Sequence, residues 1–575
     1  MTPDVRPLPG ERPAAATPLS RAIAACRASL IAAGVFAGVL NLLQLTLSLY
    51  MMQVFDRVLP TRNLDTLLYL TLIALAALGL LALLDGVRTR IMQRLGRWTE
   101  QRVAPEGFAR ALESRLRDRP YRLDALRDLA AIRAFLGSTA ALALYDVPWV
   151  PAFLVVVVLL HPLLGAVALS GAAVLLALTL LAELATSRLL REANSAALAG
   201  QRRAESYLRN AEAIDAMGML PAILSRWQSD ADAAGAPLNR AIDRSAPLLA
   251  LTRFARLAVQ IMLLAVGAWL VIRQELTAGA SIAASVIMGR ALAPVEQMIG
   301  GWKQVVQARQ SWRRLQAFLA LPRLRPPGHG LPTPRGRLSV ERVSFGFAGA
   351  AAPVLKGVGF TLEAGESLAV IGPSAAGKTT LARLLTGTLQ PLAGSVRLDG
   401  ADVAAWPRED LGRHLGYLPQ DVELFDGTVF DNIARMAAAA PEAVHRAARR
   451  AGCHGMILRL PKGYETAIGE GGERLSGGQR QQLGLARALF GDPRLVVLDE
   501  PNSNLDSEAE AALLAALREL RGDGATVVLV THRPSLVQGV DKVLMLRDGV
   551  AEAFGPRAEV LKWLTKPAAL REAQA

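Results

Sequence analysis

The chain has 575 residues, enough for two or three domains, and 52% of them are hydrophobic, which is high for a soluble protein and normal for one that is part membrane span. Its two cysteines, Cys26 and Cys453, stand far apart and exclude a disulfide framework or a cysteine-based metal cluster. The formal charge of +14 fits either nucleic acid or an anionic membrane surface, and its placement along the chain decides between them.

Residues 1–28 precede the first span, and Met1 to Pro18 are rich in proline and carry both signs of charge. They lack a basic stretch leading at once into a short apolar core and cleavage site, so no removable signal peptide is expected. A bilayer core takes roughly 20 apolar residues per helix, and six stretches come close. The first is Leu30 to Val54 and the second Leu64 to Leu84. The third and fourth form one apolar block, Ala140 to Leu184, broken at His161-Pro162. The fifth, Leu257 to Ile272, is short, and the sixth, Ala278 to Pro294, is interrupted by Arg290.

The arginines settle where the charge lies. Arg6, Arg12, Arg21 and Arg27 precede the first span, and Arg-rich segments run from Arg88 to Arg133 and from Arg188 to Arg256. The links after spans one, three and five are short, and the first carries Asp56 and Asp65 beside Arg57 and Arg62. Basic residues therefore gather on one side, expected to be cytoplasmic, with both termini there too. This reading uses the charge for topology and predicts no nucleic-acid partner. The two Arg-rich segments have helical periodicity, as in Arg88 to Arg102 and Ser187 to Ala213. They read as spans continuing into the cytoplasm, with a separate soluble helical hairpin as the alternative.

Residues 29–320 thus form an expected transmembrane domain. Residues 321–336, LPRLRPPGHGLPTPRG, read as a linker. Residues 337–570 alternate short apolar runs with helical patterns and read as an α/β domain.

In that domain the apolar run Ser367 to Ile371 leads into Gly372-Pro373-Ser374-Ala375-Ala376-Gly377-Lys378-Thr379, followed by Thr380. This is the pattern of a phosphate-binding loop. Its backbone N–H groups form an anion nest at a helix N-terminus. Gly377 admits close backbone approach, Lys378 reaches the β- and γ-phosphates, and the Thr379 hydroxyl ligates Mg²⁺. Lysine occurs at only seven positions in the chain, and one of them is this one, where a compact ammonium suits the task better than guanidinium. Further on, Leu495 to Leu498 reads as a buried strand ending in Asp499 and Glu500. Asp499 is placed to hold Mg²⁺ and Glu500 to act as general base. Between the two lies Leu475-Ser476-Gly477-Gly478-Gln479, a second helix N-terminus with bare N–H groups, opened by a hydroxyl. One ATP does not need two such loops, whereas two domains packed head to tail would use both.

This order of motifs resembles the ATP-binding cassette of ABC transporters, from about Arg335 to Lys566. The resemblance implies an α/β P-loop NTPase fold behind a six-helix, all-α transmembrane domain of the ABC exporter type. It assigns Gln420 to the loop that senses the γ-phosphate and meets the metal, and Ser503-Asn504-Leu505-Asp506 to the D-loop. His532 becomes the switch histidine on the γ-phosphate, and Phe347 the aromatic that stacks on adenine. Ala375 stands where the family often has glycine and Asn504 where it often has alanine. Base and metal ligands are intact, so an active ATPase is expected.

The membrane half also carries distinctive runs: YMMQVFDRVLPTRNLDT (Tyr50 to Thr66), ALYDVPW (Ala143 to Trp149), NAEAIDAMGML (Asn210 to Leu220) and MGRALAPVEQ (Met288 to Gln297). The cassette adds LPQDVELFDGTVFDNI (Leu418 to Ile433). These resemble the permease/ATPase of bacterial type I secretion systems, in the protease- and lipase-exporting branch. That family implies a homodimer in the inner membrane, a periplasmic adaptor (membrane fusion protein) and an outer-membrane channel of the TolC kind. Its cargo is an unfolded protein with a C-terminal secretion signal. Some relatives carry an N-terminal cysteine-peptidase-like domain, and with about 28 residues before the first span none is expected here. Exporters of lipid or small molecules share every ATP-site residue, and a non-transporting ABC ATPase would lack the spans. Asn41, Gln44 and Gln260 fall at membrane depth and either line a path or bond helix to helix. The segment around Met217-Gly218 is a coupling helix or a site of local packing.

Overall fold

A computed structural model describes residues 17–116, 124–321, 323, 330–347, 352–503 and 505–564. Asn504 and part of the Pro/Gly-rich stretch lie outside them. The chain divides into two compact units between Pro322 and Arg323.

The first unit is helical. Six helices are long and apolar enough to cross a membrane: Arg27–Thr61, Leu64–Leu116, Thr139–Leu160, Pro162–Arg209, Leu220–Ile272 and Ala278–Met298. They are inside-out relative to a soluble fold. The apolar window of the second buries none of its residues, and Leu68, Leu72, Ile73 and Leu83 face outward. Such a surface is stable only against lipid, so the chain is a multi-pass membrane protein. The spans pack on a core that includes Phe153, Leu164, Leu263, Leu270 and Met288.

The second, fourth and fifth helices run on well past a bilayer's thickness, so the Arg-rich segments largely continue the spans. The fifth span, short in the sequence, is the end of a 53-residue helix. The expected helix Ser187 to Ala213 breaks at Asn210, and a separate helix, Asp124–Leu136, follows the second span. Residues 1–28 also hold an unforeseen helix, Pro18–Ala25, capped by Thr17. It buries Leu19 and Ala22 in a cluster with Val103, Leu129 and Phe318.

Three links between spans are tight: Arg62 and Asn63, then His161, then Arg273 to Thr277. His161 Nε2 stands 3.9 Å from Glu275 Oε2. In the first span, Val54–Val58 form a π-helical turn. This turn aims Asp56 at the start of the sixth span, where its carboxylate accepts from the Thr277 hydroxyl at 2.6 Å and from Gly279 N–H at 2.7 Å. Asn41 bonds between helices, donating to Asp146 Oδ1 at 2.9 Å. Met217, Met219 and Leu220 are exposed at a turn where Gly218 has φ +63°, so they do not pack locally among the described residues.

The second unit holds strands β1 (Leu338–Phe345), β2 (Leu355–Leu362), β3 (Ser367–Ile371), β4 (Ala393–Leu398), β5 (Ala401–Asp402), β6 (Leu415–Leu418), β7 (Leu495–Asp499), β8 (Thr526–Val530), β9 (Lys542–Arg547) and β10 (Val550–Pro556). An antiparallel sheet has the order β2-β1-β4-β5, and a six-stranded sheet the order β10-β9-β3-β8-β7-β6. In the larger sheet all neighbours pair in parallel except β10. Strands β7 and β8 are buried at every position, as continuous apolar runs covered on both faces must be.

Candidate nucleotide site

The register of the larger sheet gathers the site. Val370 pairs with Val530, Asp499 with Val530, and Leu418 with Leu498. The carboxyl ends of β3, β6, β7 and β8 therefore finish side by side, the usual place for a ligand in an open parallel sheet. The chain leaves those four ends at the Gly372 loop, at Gln420, at Glu500 and at His532.

The loop is shaped by its backbone. Gly372 has φ +151°, and a Cβ there would fall 2.1 Å from Leu546 O. Gly377 has φ +95°, and its Cβ would meet Leu355 Cδ2 at 2.7 Å. Both positions exclude a side chain, Gly377 because of the strand behind it as well as any phosphate in front. Ala375 has φ +64°, which explains why glycine is common there in the family the sequence resembles. Alanine adopts it at a steric cost. Pro373, Ser374 and Ala375 are exposed, whereas Ala376 and Thr380 are buried. Helix Lys378–Leu385 begins directly after the loop. The Lys378 ammonium folds back on the loop, donating to Gly372 O at 2.9 Å and Pro373 O at 2.8 Å.

The other groups converge on Glu500. Gln420 Nε2 donates to Glu500 Oε2 at 3.1 Å, and Gln420 Oε1 accepts from Thr379 Oγ1 at 3.5 Å. His532 Nδ1 lies 3.7 Å from Glu500 Oε1. Glu500 has φ +48°, a strained conformation for a side-chain-bearing residue. Its N–H is held by Val530 O at 2.9 Å, and its carbonyl accepts from Gln481 Nε2 at 3.4 Å. Gln481 is buried, a site residue that its helix-favouring type does not announce. Asn502 and Thr531 are also buried and bond to each other at 3.4 Å, tying the ends of β7 and β8.

Asp499 is fully buried, and neither carboxylate oxygen has a hydrogen-bond partner. Burial pushes its pKa up. The nearby Thr379 hydroxyl and the Arg383 and Lys378 cations pull it partly back, and Glu500 adds to the rise. An orphaned buried carboxylate beside a hydroxyl and an amide oxygen is a set of hard oxygen donors. It fits Mg²⁺, which keeps water and phosphate oxygens among its ligands and needs only one or two from protein. Among the described residues no cluster of three acidic, His or Cys side chains offers a complete protein cage.

The remaining sequence candidates lie elsewhere on the same unit. Phe347 is half exposed just beyond β1, edge-on to Phe345 at 5.2 Å. Ser476 caps helix Gly477–Leu489. Its hydroxyl accepts from Gln479 N–H at 3.2 Å, and the Gln479 side chain accepts from Ser476 N–H at 2.9 Å. This pair leaves the N–H groups of Gly477 and Gly478 at an exposed helix start. Asp506 caps helix Ser507–Gly522 through Ala509 N–H at 2.8 Å.

A family model for the ABC transporter matches residues 355–503, and one for the ABC transporter transmembrane region matches 123–295. A third, an AAA domain (putative AbiEii toxin, Type IV TA system), matches 471–538. The chain is 43% identical over 546 residues to the type I secretion system ATP-binding protein PrsD of Rhizobium meliloti (strain 1021), covering 94% of each. It is 33% identical over 543 residues to the cyclolysin secretion/processing ATP-binding protein CyaB of Bordetella pertussis, covering 91% of this chain and 74% of that one. A solved bacterial Atm1-family ABC exporter with ATP bound superposes with a TM-score of 0.82, covering 96% of this chain and 98% of that one. At 23% identity it speaks for the fold alone. The six spans, the phosphate-binding loop at the strand ends and a whole-length match together mean that this chain is an ATP-binding membrane ATPase of the ABC transporters, belonging to the type I secretion family.

Proposed function

We propose that two copies of this chain form an ATP-driven exporter of unfolded polypeptide in the bacterial inner membrane, with the cassettes in the cytoplasm. A periplasmic adaptor and a TolC-like outer-membrane channel would complete the route, and the cargo would carry its signal at the C-terminus. The observation that carries this reading is the likeness to PrsD over 94% of both chains, membrane half included, because cassette residues are common to exporters of every cargo. The arginine-rich extensions of the spans support the orientation.

Within each ATP site, Phe347 would stack on adenine and the loop from Gly372 to Thr380 would cradle the phosphates. Lys378 would exchange its two carbonyl partners for β- and γ-phosphate oxygens. Thr379, Gln420 and Asp499 would hold Mg²⁺, which would supply neutralisation of the phosphate charge. Glu500 accepts a proton from the attacking water, while Gln420 and His532 fix its carboxylate and sense the γ-phosphate. The exposed start at Ser476, Gly477, Gly478 and Gln479 would close on the partner copy's nucleotide, with Asp506 at the same junction. Two composite sites result.

The test compares proteins in the medium of a deletion strain complemented with the wild type or with Glu500→Gln. A defined polypeptide should be lost with deletion and with Glu500→Gln. The purified variant should bind ATP while hydrolysing it roughly 10²- to 10⁴-fold more slowly, the span usual for a general base. An unchanged secreted set on deletion refutes protein export, and near-normal turnover of Glu500→Gln refutes its role.

A further inference from the structure

Two of the distinctive membrane runs meet at one place. A cavity of about 300 Å³ opens among spans one, two, three and six, lined by five leucines, Thr139 and the polar side chains of Gln44, Asp85, Arg88, Asp146, Arg290 and Gln297. Asp146 comes from the ALYDVPW run and Arg290 and Gln297 from MGRALAPVEQ, motifs that the ATP chemistry does not use.

One wall is fixed. Asp146 Oδ1 accepts from Arg88 Nη1 at 2.7 Å and from Asn41 at 2.9 Å, and Arg88 Nη2 donates to Asp85 at 2.9 Å. Arg88 and Asp146 are more than nine-tenths buried. Facing them, the side chains of Gln44, Arg290 and Gln297 make no hydrogen bond or ion pair among the described residues. Arg290 lies twelve residues into the sixth span, about 18 Å along it at the rise of an α-helix. A free guanidinium at that depth is not stable against hydrocarbon, so this face borders water or a polar occupant.

The charge of the lining selects the occupant. Two arginines against two aspartates sum to zero. An anionic lipid headgroup calls for a net positive seat, as does a free phosphate. An extended polypeptide instead presents an N–H and a C=O at every residue and side chains of both signs, and needs donors and acceptors mixed along its path. We propose that this cavity seats the cargo polypeptide during passage, with Gln44, Arg290 and Gln297 bonding to its backbone and polar side chains over a wall held rigid by Arg88 and Asp146. The proposal rests on the protein-export reading and adds where in the membrane domain the chain is held.

Photo-crosslinking tests it. A photoreactive residue replaces Gln44 or Arg290 in the full chain in cells, with outward-facing Leu72 as control. Irradiated adducts are identified by mass spectrometry, and the medium of a deletion strain is analysed in parallel. The expected result is an adduct at 44 and 290 with the polypeptide that deletion removes from the medium, severalfold above that at 72. Adducts with lipid only, with a second copy of the chain only, or with nothing, in cells that still export that polypeptide, overturn the cavity proposal. A deletion strain with unchanged secretion overturns instead the export reading beneath it.

Discussion

Replacing Asp499 by asparagine separates what its carboxylate does for catalysis from what it costs the fold. The side chain is fully buried and neither oxygen is hydrogen-bonded. An unpaired buried polar group costs about 1–3 kcal/mol, and more when charged. The amide has nearly the same shape and stays unpaired but drops the charge, so without nucleotide it should recover the excess that the charge adds, on the order of 1 kcal/mol. For a unit of this size that raises the unfolding temperature by about 2–4 °C. The sign with pH follows from the raised pKa of Asp499. The folded, nucleotide-free state favours the protonated acid more than the unfolded chain does. Its stabilising contribution is therefore complete below the ordinary carboxylate range and is lost as pH rises through the raised value. The Asp499→Asn variant has no such dependence at this position, so its advantage should widen over that window and then level off. The assay is thermal unfolding of the purified full chain in detergent with a chelator, following the cassette transition, and again with Mg²⁺ and ATP. Ligand should stabilise the wild type more than the variant, because binding adds stability only in proportion to affinity for the folded state. A variant that unfolds at or below the wild-type temperature without nucleotide at neutral pH would refute the argument.

Other outcomes follow from single contacts. Gln481→Leu removes the buried donor to the Glu500 carbonyl and should lower kcat roughly tenfold to a hundredfold with little change in KM for ATP, as expected when a base is misplaced and binding is not. Gly279→Ala puts a Cβ 2.6 Å from Met52 O and 2.7 Å from Asp56 Cγ. It should lower thermal stability at least as much as Asp56→Ala, which removes a helix cap worth about 1 kcal/mol. Arg435→Met should destabilise the cassette by about 3 kcal/mol or more in chemical denaturation, since the carbonyls of Gly412, Arg487 and Ala488 lose a charged donor. In mixed dimers, Lys378→Ala and Ser476→Ala on opposite chains should leave one intact composite site and residual ATPase. Both on one chain should leave none, and the reverse pattern would mean each chain completes its own site.

Contiguous chemistry was legible in the sequence. The phosphate-binding loop, the Asp499-Glu500 strand end and the six apolar stretches each depend on neighbours in the chain, and each lies where the pattern placed it. What escaped depends on partners far away. Asp56 read as a loop charge because nothing local announces a π-helical turn or a partner at Gly279. Asn41 read as either path lining or a bond between helices, and only Asp146 beside it in space decides for the bond. Pro105, Pro237, Pro247 and Pro294 each sit inside a continuous helix, where local rules predict a break and tertiary packing overrides them. Gln481 escaped because a helix-favouring residue on a buried face is visible only once that face is known.

The three tight links have a consequence for whatever meets the protein on that side of the membrane. They total eight residues, two, one and five, and His161 and Glu275 already lean toward each other. A stable interface of standard size takes about 20–30 residues from each partner. One copy cannot offer such a footprint from its links. A partner that grips this face must collect the links of both copies at once or hold the rims of the spans themselves, and either way it reads how far apart the copies stand.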